Sequence, residues 1–342
     1  MEDDARSASG SPPPSSTAFV PPSVSREDLL TGASTSHFSP VPPALQPTDP
    51  SDPASAPPCC LGVDEAGRGP SIGPMVYGVF YLPLPLSDPL LRTAHGFDDS
   101  KVLKAGVRSA LMQTLCTAGS DLHASCGWAT RSLSARDIAA GMLRPATYNL
   151  NAQAMDATVE LIKGVFARGV NVQEIYVDTI GKADAYQARL QRIFPSTKIT
   201  VASKADSLYA CVSAASVCAK VTRDVALETL YELGAPKRRD GDGDEEEEGE
   251  ERLAWGSGYP SDPKCTSWLK NNMHPVFGWG PECRFSWTPL VNMLEGGVKA
   301  EWPDYKDTGD NHKLSEFFSA GKETDSNELG NWFGTSVGLE AF

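Results

Sequence analysis

The chain has 342 residues, 40% of them apolar, eight cysteines and a formal net charge of −14. No run approaches the ~18 consecutive apolar residues of a membrane-spanning helix, so a membrane protein is not expected. The cysteines form no C-x-x-C pair and the five histidines are scattered, which argues against a zinc domain and for buried, reduced thiols.

Residues 1–59 hold 13 of the 27 prolines and few large apolar side chains, too few to offset the entropy of folding. They read as a disordered Pro/Ser-rich tail, without the apolar run of a secretory signal and too acidic for a transit peptide. Charge is equally uneven. Residues 1–60, 237–252 and 300–342 carry −5, −5 and −6, so the remaining chain stands at +2. The acidity therefore lies in two tails and an acidic disordered insertion, and a slightly basic core is left free to meet phosphates with modest affinity.

Between the tails the elements come in order. Leu61–Val63 and Met75–Leu82 read as strands separated by a Gly/Pro turn, and His123–Arg131 as a third. Val107–Cys116 reads as an amphipathic helix between them, and Thr147–Ala167 as another. Strand Ile175–Asp178, helix Ala185–Phe194 and strand Lys198–Ala202 follow. Ser207–Leu233 reads as one long helix whose Cys211, Ala214, Ala215, Cys218, Val221 and Val225 form a packing stripe. This pattern predicts an α/β fold over 60–233, a mixed five-stranded sheet flanked by helices. Residues 253–299 read as a small helical extension. One of its helices is capped by Ser261, has Pro263 in its first turn and runs through Trp268 and Leu269; a last helix covers Pro289–Leu294. The tail 300–342 reads as mostly flexible.

Chemistry gathers at Gly62–Pro70. Asp64 and Glu65 end an apolar run, where the backbone must turn if both are to serve one cation. Gly67 and Gly69 permit the turn and a close ligand approach, and Arg68 adds a phosphate-matching fork. A surface turn with solvated charges is the plainer alternative, weakened by the apolar flank. Asp178 closes a second apolar strand and Asp206 starts the long helix. A turn acid and an N-cap would explain these two singly; with Asp64 and Glu65 they suit a hard-cation cluster.

DEAGRGP, the DSK at Asp99–Lys101, YVDT from Tyr176, KADSLY from Lys204, AASVCAKVTRD from Ala214 and GSGYPSDP from Gly256 occur in one order, and with them the chain resembles the type 2 ribonucleases H in their eukaryotic form. The resemblance spans about Cys60 to Trp287. It implies a ribonuclease H-like fold and hydrolysis of the RNA strand of RNA–DNA hybrids or 5′ of single ribonucleotides in duplex DNA. It also implies two Mg²⁺ or Mn²⁺ ions activating water and the leaving oxygen, with 5′-phosphate and 3′-hydroxyl products. It maps Asp64, Glu65, Asp178 and Asp206 onto the four catalytic, metal-holding acids. It maps Gly67, Arg68, Gly69 and Tyr259 onto the ribose-reading groups, and Lys101 and Asn149 onto positions near phosphates. Ser207 departs from the family's usual Ala, a harmless change.

The eukaryotic form further implies two non-catalytic partner subunits in a heterotrimer, and a nuclear location with the cytoplasm also open. The alternative, a non-catalytic scaffold protein in such a complex, is disfavoured by the presence of all four acids. In the acidic tail, Asn311, Leu314, Phe317 and Phe318 have the spacing of a sliding-clamp binding box; packing on a partner chain is the competing use of Asn311–Phe318.

Overall fold

In the computed structural model, residues 19–49, 51–52, 55–97, 103–146, 148–179, 182–234 and 254–297 are described. A short helix α1 (Arg26–Thr31) leads to strand β1 (Thr35–Phe38), and β2 (Cys59–Ala66) and β3 (Met75–Pro83) follow. Helices α2 (Ala105–Cys116) and α3 (Asp121–Ser125) precede β4 (Gly127–Leu133), and α4 (Ala135–Met142) and α5 (Leu150–Phe166) follow it. Next come β5 (Val172–Asp178), α6 (Ala183–Ile193), β6 (Lys198–Ala202), α7 (Ala205–Leu208) and α8 (Ala210–Gly234). Two helices complete the extension, α9 (Pro263–Asn271) and α10 (Thr288–Leu294).

The six strands lie in the order β1-β4-β3-β2-β5-β6. The pairs from β1 to β2 are antiparallel, and β5 and β6 run parallel to β2. Strands β2 and β3 are buried almost throughout because helices cover both faces. On one face Ala154, Leu161, Ile162 and Val165 of α5 share a core with Leu61, Val63 and Val79. On the other, Cys211, Ala214, Ala215 and Cys218 of α8 pack with Cys60, Phe80 and Trp128.

Two strand glycines set how close α8 comes. A Cβ on Gly62 would lie 2.3 Å from the Cys211 main chain, and one on Gly78 would lie 2.6 Å from the Ala215 carbonyl. Glycine inside a strand weakens it, so its presence here answers a backbone in contact. A third, smaller core joins Ile72 and Leu227 to Trp255, Cys265, Leu269, Trp279, Cys283 and Leu290, and it fixes the extension to the sheet domain.

Several sequence expectations are corrected. The sheet has six strands, not five, and the added one, β1, comes from within the segment read as disordered. Its four residues pair with β4, while Phe19 and Val24 pack on the α8 core. Asp137 takes the Ser34 amide and hydroxyl at 2.9 and 2.7 Å. Average composition over 59 residues hides so short a strand, which gains its order from an available sheet edge.

The long helix is broken at Tyr209, whose φ and ψ of −122° and 117° are extended. The Tyr209 ring stacks on Tyr176 at 4.1 Å between centroids, a tertiary contact no helical periodicity reveals. Finally, Asp262 rather than Ser261 caps α9. Its Oδ1 accepts from the Lys264 amide at 2.9 Å while Oδ2 takes Ser257, a double duty that a hydroxyl cannot fill.

The third strand starts later than expected because Ser120 caps α3. All eight cysteines are free, seven of them buried. No described helix is long and apolar enough to cross a membrane. Residues 1–18, the insertion 237–252 and the tail 300–342 lie outside the described residues.

Substituting Gly62→Ala should destabilise the domain by about 3 kcal/mol, because α8 must lift off the sheet. A melting temperature within about 2 °C of wild type would show that the helix yields freely.

Candidate active site

Strands β2 and β5 are parallel neighbours with Val63 opposite Val177, so the next residues, Asp64 and Asp178, emerge side by side. They stand at the carboxyl ends of two central strands, where the chain leaves the sheet and a crevice opens. Asp64 is buried, and its Oδ1 accepts from the Glu65 amide at 2.7 Å. Asp178 accepts from the Ala205 amide at 2.9 Å, which ties the end of β5 to the start of α7. Asp206 lies in the first turn of α7, buried, with its Oδ1 on the Ser207 amide at 3.1 Å. It is inside the helix rather than its N-cap; the cap position is held by Lys204. Lys204 has φ 55°, the sole positive φ of a non-glycine residue among those described. Such a backbone costs on the order of 1–3 kcal/mol, and here it accompanies the turn that points an amide at Asp178.

Glu65, one residue on, faces the other side of the sheet opposite Tyr77. Positive charge compensates Asp64 and Glu65 only in part. Burial pushes Asp64 up to about 7; the Ser216 hydroxyl and Glu65 amide oppose this, and the Asp178 charge adds to it. Burial and then the Asp64 charge push Glu65 up to about 8, against Arg68. Lys220 on α8 acts on both in the opposite direction. Buried carboxylates short of positive charge are an oxygen-rich site that a hard divalent cation would relieve. Among the described residues, no group of three His, Cys, Asp or Glu side chains is arranged to hold a metal ion as the side chains stand. Each of the three aspartates has one oxygen on a main-chain amide.

The glycine turn follows directly. Gly67 has φ 77°, and a Cβ there would meet the Pro74 carbonyl at 2.6 Å. Gly69 is exposed beside the Tyr259 ring, which is 39% exposed across the turn. An open cleft of about 460 Å³ lies between Glu65, the Gly67–Gly69 turn and Tyr259, walled by Arg108, Lys220 and Arg223.

Thus Asp64, Asp178, Asp206, Glu65, Gly67, Arg68, Gly69 and Tyr259 converge on one end of the sheet. Asn149 caps α5 through the Ala152 amide at 3.0 Å, and the asparagine that Arg68 reaches is Asn151. Lys101 lies outside the described residues. Sequence reading missed Ser216, Lys220 and Arg223. Their spacing of four and three residues forms a polar line beside the small-residue stripe of α8, a signal that was available. Arg108 comes from a different helix and gave no local signal.

The sheet order, the helices on both faces and the acids at the ends of β2 and β5 define a ribonuclease H-like α/β hydrolase. The ribonuclease HII family model matches residues 61–289. A ribonuclease H2 chain of Neurospora crassa, named as the first of that enzyme's lettered subunits, is 56% identical over 332 residues, 95% of this chain and 97% of that protein. Its counterpart of the same name in Homo sapiens is 45% identical over 240 residues, 70% and 73% of the two chains. The crystal structure of the Pyrococcus horikoshii ribonuclease H2 superposes with a TM-score of 0.54 at 28% identity, covering 69% of this chain and 97% of that one. The Archaeoglobus fulgidus RNase HII, solved as a complex with PCNA, gives 0.53 at 25% identity, covering 68% and 96%. The chain belongs to the ribonuclease HII family and is a ribonuclease H-type hydrolase.

The raised carboxyls make a stability prediction. A carboxyl whose folded pKa exceeds its unfolded value favours the fold below about pH 4, and that advantage is lost as pH rises through 7 to 8. In EDTA, Asp64→Asn should therefore be more stable than wild type at about pH 8, by on the order of 1–2 kcal/mol, and no more stable at about pH 4.5. Equal melting temperatures at the higher pH would show that the acids are not in conflict.

Proposed function

We propose that the chain is the catalytic component of an enzyme that hydrolyses the RNA strand of RNA–DNA hybrids and cuts 5′ of single ribonucleotides in duplex DNA. One observation carries the reading: paired strand-end aspartates stand at the end of the sheet where Glu65, a glycine turn and a half-exposed tyrosine line a cleft. Asp64, Glu65, Asp178 and Asp206 would hold Mg²⁺ or Mn²⁺, two ions in the full site, for which their carboxylate oxygen donors fit. When bound, such ions supply an activated water and neutralise charge on the leaving 3′ oxygen.

The chain's own residues do the rest. Lys220 tempers the charge of Asp64 and Glu65. Arg68 brings positive charge to the cleft that a phosphate backbone enters, and Arg108 and Arg223 line it as an ion-paired group around Asp224. The main chain of Gly67–Gly69 presents polar groups without side-chain obstruction, and Tyr259 offers a ring for the sugar and a hydroxyl for the 2′-oxygen. Lys101 and Asn149 are assigned to flanking phosphates. Products carry 5′-phosphate and 3′-hydroxyl ends.

Relatives named as one subunit of several support assembly with further chains. We assign two non-catalytic subunits, a nuclear location, and roles in ribonucleotide excision and primer removal during replication and repair. The complex of the Archaeoglobus relative with PCNA supports a clamp contact, for which Asn311–Phe318 is our candidate segment.

With Mg²⁺, the wild-type chain co-expressed with its partners should nick a DNA duplex holding one ribonucleotide on its 5′ side. Asp178→Asn should retain the fold and lose nearly all turnover. More than about a tenth of wild-type turnover would overturn the assignment of the acids.

A 305–325 peptide should bind the sliding clamp with micromolar affinity, about −8 kcal/mol, weakened by the short Asn311 side chain. If its calorimetric heat is no larger than that of a Phe317→Ala/Phe318→Ala peptide, the segment serves to pack on a partner chain instead.

A further inference from the structure

We infer that Arg284 and Trp287 are positioning residues that set ribose discrimination by fixing the peptide planes of the Gly67–Gly69 turn. The inference rests on reading that turn as the ribose sensor. Both residues lie in the extension, some 217 positions along the chain from the carbonyls they hold.

Arg284 is fully buried, and no ion pair serves it among the described residues. Its guanidinium instead donates to three carbonyls: Nη2 to Gly67 at 2.6 Å, Nη1 to Arg68 at 2.9 Å and Nε to Gly73 at 3.0 Å. Its own amide donates to the Ser71 carbonyl at 2.9 Å. Trp287 Nε1 donates to the Gly69 carbonyl at 3.1 Å, and the guanidinium carbon sits 4.9 Å from the Trp287 ring centroid. One short turn of the extension therefore holds the carbonyl of every residue in the Gly-Arg-Gly sequence.

Peptide geometry gives this its consequence. In a trans peptide the carbonyl and the following amide point in opposite directions. Drawing the Gly67 and Arg68 carbonyls inward turns the amides of Arg68 and Gly69 away from Arg284. Neither amide donates to a main-chain acceptor among the described residues. Pro70 follows Gly69 and has no amide, so the Gly69 carbonyl is the remaining polar group of the turn, and Trp287 holds it. The turn thus presents two preorganised donors, suited to the acceptor lone pairs of a 2′-hydroxyl.

A buried cation without a carboxylate is costly, and apolar packing alone would not require one. A planar fork spanning adjacent carbonyls is what arginine supplies and lysine, a point charge, does not. Arg284→Lys should therefore lose the orientation while keeping the charge. Trp287→Phe should remove one donor while keeping the ring.

The test uses the full-length chain co-expressed with its partners, with Ca²⁺ in place of Mg²⁺ so that binding is read without turnover. Affinities are measured for two DNA duplexes that differ in one ribonucleotide, alongside the melting temperature. Wild type should prefer the ribonucleotide duplex. Both variants should lose about tenfold of that preference, with affinity for the all-DNA duplex unchanged. If Arg284→Lys does not fold, Trp287→Phe carries the test alone. A preference within about twofold of wild type in the folded variants would overturn the inference and leave the ribose reading intact. Equal weakening on both duplexes would also overturn it, since that marks a merely structural role. No preference in wild type itself would overturn both.

Discussion

The contact between α8 and the bare backbone at Gly62 and Gly78 governs the placement of nearly everything else. With any side chain at those positions the helix would stand off by the depth of a Cβ, and its polar line would miss the acids. As it is, Ser216 and Lys220 come up to Asp64 and Glu65. Three residues further, Arg223 lies beneath Gly67, donates to the Ser257 carbonyl at 2.8 Å and stands 5.9 Å from the Tyr259 ring centroid. One packing distance thus sets the carboxylate electrostatics, the floor of the glycine turn and the far wall of the cleft.

The same contact concentrates cost. Burying Asp64 under the helix while Asp178 stands beside it places like charges where water screens them poorly. Folding alone would favour an amide or an apolar group there. The arrangement is stable because the rest of the domain is strongly packed: a central pair of strands covered on both faces, and two large apolar cores. The strain at Lys204 has the same origin, since it accompanies the amide that Asp178 receives. Stability lost at the strand ends is offset in the strand centres, the usual relation between a site and its scaffold.

What was legible in the sequence was local. Asp64, Glu65, Asp178 and Asp206 each close or open an element whose apolar pattern is plain, so position along the chain already implied position in space. Gly67, Gly69 and Tyr259 were found because turn chemistry is written in short runs. What was not legible was tertiary. β1 owes its order to an edge contributed by β4, and the break at Tyr209 to a ring on β5. Asp262 outcompetes Ser261 because the amide of Ser257, outside the helix, shares its carboxylate. Arg284 and Trp287 sit in a turn between two helices of the extension, and their acceptors lie more than 200 residues away.

That separation makes the extension part of the site rather than an appendage. Its core is shared with Ile72 and Leu227, which flank the glycine turn and end the α8 contact region. The Ser71 carbonyl and the Gly73 amide both bond to the segment around Arg284. The glycine turn is therefore backed from below by Arg223 of α8, while the extension holds its carbonyls from the side. A cleft whose walls come from residues 65–69, 108, 220, 223, 224 and 259 is complete only when all these parts have docked. Recognition geometry and global folding are consequently coupled, and a substitution far along the chain, in the extension's core, can loosen the turn without touching an acid.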